Sequence, residues 1–105
     1  MAGKSRKQQI EEMLAEDPND PFLRYGLAME HVSLGDDEGA VRCFRDLVAA
    51  DRDYVPAYMQ AGQALVRLGR LDEARQTLSL GIIAARKQAN AHAAEEMQVM
   101  LDGLQ

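Results

Sequence analysis

The chain has 105 residues and a net charge of −5, with 17 acidic side chains against 12 basic ones. At 47% hydrophobic and 28% charged it is too apolar for a disordered chain, and its length suits one domain. The bases are too few and too scattered to neutralise a nucleic-acid backbone, a single cysteine forms no internal disulfide, and Cys43 with two distant histidines, His31 and His92, forms no zinc cluster.

The first predicted element is a helix over 6–16. Ser5 followed by Gln8 is a capping box at its start, and Pro18 disfavours its continuation. Asp20 is a natural cap for a second helix, with Pro21 at the first helical position, where its missing N–H costs nothing. Gly35 stands where a left-handed residue closes that helix. Asp36 and Asp37 place negative charge at the start of a third helix, which runs to about Ala50. Pro56 opens a fourth and Gly69 closes it. Asp72 and Glu73 fall in the first turn of a fifth, which runs to about Gln88. Asn90 can cap a sixth, over about 91–103. No segment alternates with period two, so no strand is expected.

The elements repeat. Leu34 and Leu68, Gly35 and Gly69, Ala40 and Ala74, and Phe44 and Leu78 are each 34 residues apart. Ala28 pairs with Gly62 and His31 with Leu65 at the same offset. A partial third copy lies upstream in phase: Ile10 aligns with Phe44 and Leu78, and Leu14 with Val48 and Ile82. A period of this size marks stacked supersecondary units. The small residues Ala28, Ala40, Gly62 and Ala74 fall where antiparallel helices would approach at the short end of the packing range. Phe44 and Leu78 would fill the space between one pair and the next. Gly81, in mid-helix, asks for a close crossing by the sixth helix.

These residues resemble the tetratricopeptide repeat. The second copy carries Tyr58, Ala61-Gly62, Leu65, Gly69, Ala74, Leu78 and Gly81 at the motif positions. The first carries Leu27-Ala28, His31, Gly35, Ala40, Phe44 and Leu47. Arg24 stands where a large aromatic is expected, and the closing proline is replaced by Arg52 and Arg86, although Pro18 keeps it in the half copy. The resemblance covers about residues 6–88. It implies an all-α fold, a right-handed α-α superhelix of about six antiparallel helices: a half-repeat cap helix at 6–16, full repeats at 21–54 and 55–88, and a capping helix at 91–104. The sixth helix falls out of phase with the motif. Its Ala93, Met97, Met100, Leu101 and Leu104 form one apolar face, which reads as a lid on the last pair with Glu95, Glu96 and Asp102 in water.

In that family the first helix of each pair lines a concave binding surface. The matching positions here are Phe22, Tyr25, Met29 and Val32, then Met59, Gln63, Val66 and Arg67, each set at one-face helical spacing. Tyr, Phe and Met suit an interface core, and Met adapts its shape to varied partners. The expected partner-binding residues are Phe22, Tyr25, Met29, Met59, Gln63 and Arg67. The ring of Lys, Asn and Arg that grips chaperone C-termini in some members is missing. An apolar groove suits an amphipathic helix or an extended apolar peptide. The alternative is a homodimeric scaffold that buries the same face against a second copy.

No enzyme is expected. Cys43 has no histidine fixed near it by spacing, Glu11-Glu12 and Glu95-Glu96 are adjacent pairs that diverge on a helix, and no glycine-rich phosphate loop follows a strand. No cofactor and no metal are implied. The longest nearly apolar run, about Leu78 to Ala85, falls short of the ~20 residues a membrane span needs. The charged first residues are not followed by an apolar stretch, so no signal peptide is expected and the cytoplasm is the default location.

Overall fold

Helix boundaries fall where the capping chemistry puts them. In the computed structural model, which describes residues 3–104, the Gln8 N–H donates to Ser5 Oγ at 3.1 Å and the Ser5 N–H donates to Gln8 Oε1 at 2.9 Å. This capping box opens α1 (Arg6–Glu16). Asp20 accepts from the N–H groups of Phe22 and Leu23 at the start of α2 (Pro21–Ser33). Asp36 accepts from Gly39 at the start of α3 (Asp37–Ala50). The next two helices, α4 (Val55–Arg67) and α5 (Leu71–Lys87), have no side-chain cap; Pro56 sits in the first turn of α4, and Asp72 and Glu73 sit in that of α5. Asn90 caps α6 (Ala91–Asp102). All elements among the described residues are helical.

Three helix ends share one geometry. Gly35 and Gly69 take φ 75° and Ala89 takes φ 56°. In each case the next residue's N–H reaches back five positions: Asp36 to His31, Arg70 to Leu65 and Asn90 to Ala85. This left-handed closure satisfies the orphan carbonyls of the last turn. The loops between helix pairs are also tied alike. The Tyr58 hydroxyl donates to the Arg52 carbonyl at 2.8 Å, and Arg24 Nε donates to the Pro18 carbonyl at 2.8 Å. Arg24, which replaces the expected aromatic, therefore makes the loop-closing bond that Tyr58 makes one repeat later.

Each helix packs on its neighbour in the chain, and the whole measures 48 × 28 × 20 Å. Phe44 is fully buried with Ala28, Ala40, Leu47, Ala57 and Ala61, joining α2, α3 and α4. Leu78 is fully buried with Val55, Tyr58, Ile82, Ala93, Ala94 and Met97, joining α4, α5 and α6. A third cluster places Val41 with Ala64, Leu65 and Ala74. Full burial of each large side chain contributes about 1.5–3 kcal/mol. Two glycines allow the close approaches. A Cβ on Gly62 would lie 2.6 Å from Leu78 Cδ2, and one on Gly81 would lie 2.6 Å from both Met97 Sδ and Tyr58 Cβ. The expected crossing of α6 at Gly81 is present, and α4 reaches the same point from the other side.

Surface ion pairs stitch successive repeats. Arg67 meets Asp37 with bonds of 2.9 to 3.2 Å, Arg70 bridges Glu38 and Glu73, and Arg45 also reaches Glu73. Exposed pairs of this kind contribute only ~0.2–1 kcal/mol each. Their main effect is to hold the start of α3 in register with the end of α4.

Candidate functional site

Side chains of α2 and α4, several of them shared with the core clusters, border two recesses together with α6. Tyr25, Val55, Pro56, Met59 and Gln60 border a recess of about 210 Å³ with Asn90, His92, Ala93 and Glu96. A larger recess of about 590 Å³ adjoins it, lined by Gln63, His92, Glu95, Glu96, Val99 and Met100. His92 and Glu96 border both recesses, one helical turn apart and paired with each other. The two recesses therefore adjoin along one face, on either side of the His92–Glu96 pair, and are referred to together as the groove.

Tyr25 anchors the α2 end of the groove. Its ring lies 5.8 Å from Phe44 and 5.5 Å from Tyr54 between centroids, in tilted contacts that fix its orientation. Burial, and then Tyr54, push the Tyr25 phenol up, and a hydrogen bond with Gln60 opposes this. Burial, followed by Asp20 and Asp51, pushes Tyr54 up as well. Both phenols therefore stay neutral at physiological pH. Met59 is half-buried, with one side packed on the Leu78 cluster and the other on the smaller recess.

The six residues expected from the sequence to contact a partner are placed differently. Tyr25 and Met59 line the smaller recess and Gln63 lines the larger. Met29 packs against the Phe44 cluster and borders neither. Phe22 is 74% exposed in the first turn of α2, apart from both recesses. Arg67 is held in a two-pronged bond to Asp37.

Sequence reasoning missed the contribution of α6. Glu95 and Glu96 face water as expected, and they also border the larger recess with His92, Val99 and Met100. A signal was present in the numbering. Val55 follows Pro21 by 34 positions, but Ala91 follows Val55 by 36, because α5 has 17 residues where α3 has 14 and the connection to α6 is one residue shorter than that from α3 to α4. Shifting the repeat by two brings Val99 onto the helical position of Gln63, and Glu95 onto that of Met59.

The remaining chemical groups are quiet. Cys43 is half-buried beside Leu14, Pro18, Arg24, Leu27 and Asp46. Burial, with a smaller contribution from Asp46, pushes its thiol up, which disfavours the nucleophilic thiolate. His31 is tucked in, with Nδ1 2.9 Å from Asp36 Oδ2, and so helps to hold the α2–α3 turn. Among the described residues no three His, Cys, Asp or Glu side chains gather as a metal site, and no helix is long and apolar enough to cross a membrane.

Comparison with known proteins adds family context. The family model for the tetratricopeptide repeat matches residues 38–97. A TPR repeat-containing protein of Pseudomonas aeruginosa is 32% identical over 92 residues, covering 88% of each chain. A tetratricopeptide repeat domain protein from Salinibacter ruber, solved by NMR, superposes with a TM-score of 0.79 at 36% identity, covering 84% of this chain and 89% of that one. PcrH, solved in complex with the chaperone binding region of PopD, superposes with a TM-score of 0.87 at 22% identity, over 93% of this chain and 74% of that one.

Proposed function

We propose that this chain, which belongs to the tetratricopeptide repeat family, is a non-catalytic adaptor whose groove between α2, α4 and α6 holds a segment of another protein. Members of the family serve as protein-interaction modules, and the present chain carries that role on a small scaffold. We divide it into a half-repeat cap helix (6–16), two full repeats (21–54 and 55–88) and a capping helix (91–104), and we read it as a cytoplasmic module.

One observation carries the reading. Two adjoining recesses share a rim and are floored by half-buried apolar side chains, Met59 and Met100, with the Tyr25 ring fixed at one end. A groove of this kind offers an apolar anchor site and exposed polar groups at its border, which is how peptide grooves divide affinity from specificity. The PcrH complex supports the reading by showing a protein of the same fold joined to a segment of another protein.

The test is selection of peptides from a random library on the immobilised chain, followed by anisotropy titration of the selected peptides. Met59→Glu should retain the helical circular dichroism spectrum and weaken binding by about tenfold or more, because it buries a charge under the anchor. A selection without binders, or binders indifferent to Met59→Glu, would overturn the assignment.

A further inference from the structure

We infer that the segment held in this groove is basic: a lysine or arginine next to an apolar anchor. The inference rests on the docking reading above and adds the charge of the ligand. Neither recess is lined by a lysine or an arginine. The larger one presents two carboxylates, Glu95 and Glu96. Glu96 faces His92, whereas Glu95 has no partner among the described residues. The nearest arginine predicted for this wall, Arg67, is already engaged by Asp37.

The apolar lining beside those carboxylates fits the shape of a basic side chain. Val99 is 67% exposed and borders the same recess as Met100 and Gln63. A lysine or arginine stem can lie along Val99 and Met100 while its charged head meets Glu95, since such side chains bury their methylenes and keep the charge in water. The smaller recess, with Tyr25 and Met59, then takes the neighbouring apolar residue. An acidic segment would bring like charges together at Glu95 and Glu96, which penalises the wrong partner as much as attraction favours the right one.

Three short dye-labelled peptides test this, each with a Leu-Leu pair flanked by Lys, by Gln or by Glu, titrated by anisotropy at low and at physiological salt. The Lys peptide should bind tightest, by about threefold to tenfold over the Gln peptide, as expected for one or two exposed ion pairs. Glu95→Gln with Glu96→Gln should remove that lead. Glu11→Gln with Glu12→Gln, an equal charge change on α1, should leave it intact. Val99→Lys, at an exposed position that leaves the fold undisturbed, should weaken the Lys peptide and strengthen the Glu peptide. If all three peptides bind alike and Met59→Glu abolishes each, the charge assignment falls and the groove stands. If the α1 control removes the lead equally, the preference is the overall negative charge of the chain and the inference fails. If no peptide binds, or a concentration-dependent mass in sedimentation shows a second copy filling the groove, the inference and the docking reading fall together.

Discussion

Gly26 and Gly81 are both mid-helix glycines, and the same substitution should move them in opposite directions. At Gly26 an added Cβ would lie 3.6 Å from Ile10 Cδ1, an ordinary contact. Gly26→Ala should therefore stabilise by about 0.5–1 kcal/mol through the lower backbone entropy of the unfolded chain. At Gly81 the Cβ would meet Met97 Sδ and Tyr58 Cβ at 2.6 Å, so Gly81→Ala should cost about 1–3 kcal/mol in spite of its better helix propensity. Ala89 is the reverse case, a non-glycine residue in the left-handed region at φ 56°. Ala89→Gly should gain about 0.5–1 kcal/mol, since Gly35 and Gly69 fill the equivalent closures without strain. Urea midpoints for the three variants check all three signs. The sequence made Gly35 and Gly69 legible because glycine signals a helix end; Ala89 carries no such signal, and only the conformation of the chain reveals it.

At the scale of elements, α6 ties stability to the groove. Its Met97 is fully buried between α4 and α5, while His92, Glu95, Glu96 and Val99 look into the recesses. Met97→Ala should cost about 2–5 kcal/mol by the cavity it leaves. It should also lower the temperature at which peptide binding is lost, in step with the loss of helix, which circular dichroism beside anisotropy can follow. The apolar face of α6 was readable from its spacing, but the partner of its polar face depended on the extra length of α5. The ion pairs between elements predict a pH dependence. The guanidinium groups of Arg45 and Arg70 hold Glu73 below the usual carboxylate range, and the Gly39 N–H followed by His31 does the same for Asp36. Carboxyls depressed in the folded state stabilise it above their unfolded pKa, about 4, and lose that contribution as pH falls through the lower folded values. Stability should therefore be level between about pH 5 and pH 8 and decline in acid, and Asp36→Asn with Glu73→Gln should make the acid decline shallower in urea titrations at stepped pH.

At the scale of the whole molecule, the packing bears on whether the six helices unfold as one. The three core clusters are not separate: Val48 packs against both the Phe44 and the Leu78 cluster, and Leu104 joins the Leu78 cluster to the one around Leu65. In a stacked array cooperativity depends on such shared interfaces. Far-ultraviolet circular dichroism and the fluorescence of the Tyr25–Tyr54 pair should therefore report one urea transition at the same midpoint. Transitions that separate would mean that the repeats unfold independently. Arg75 adds to the closure by donating to the Leu104 carbonyl at 3.1 Å, which holds the end of α6 against α5.

The sequence by itself determined the helices, their caps and the pairing of neighbours. These follow from short-range physics: a side-chain oxygen within reach of free N–H groups, a proline or glycine with restricted or permissive φ, and small residues recurring every 34 positions where helices must touch. Tyr25, Met59 and Gln63 were legible as wall residues for the same reason, because a helical face repeats faithfully between copies. Only the tertiary structure decided that Arg67 is spent on Asp37, that Met29 serves the core, and that Glu95, Glu96 and Val99 complete the groove. Those outcomes depend on which elements lie side by side across 30 or more residues of chain, and no local pattern fixes how a long, flexible side chain or an out-of-register helix resolves that competition.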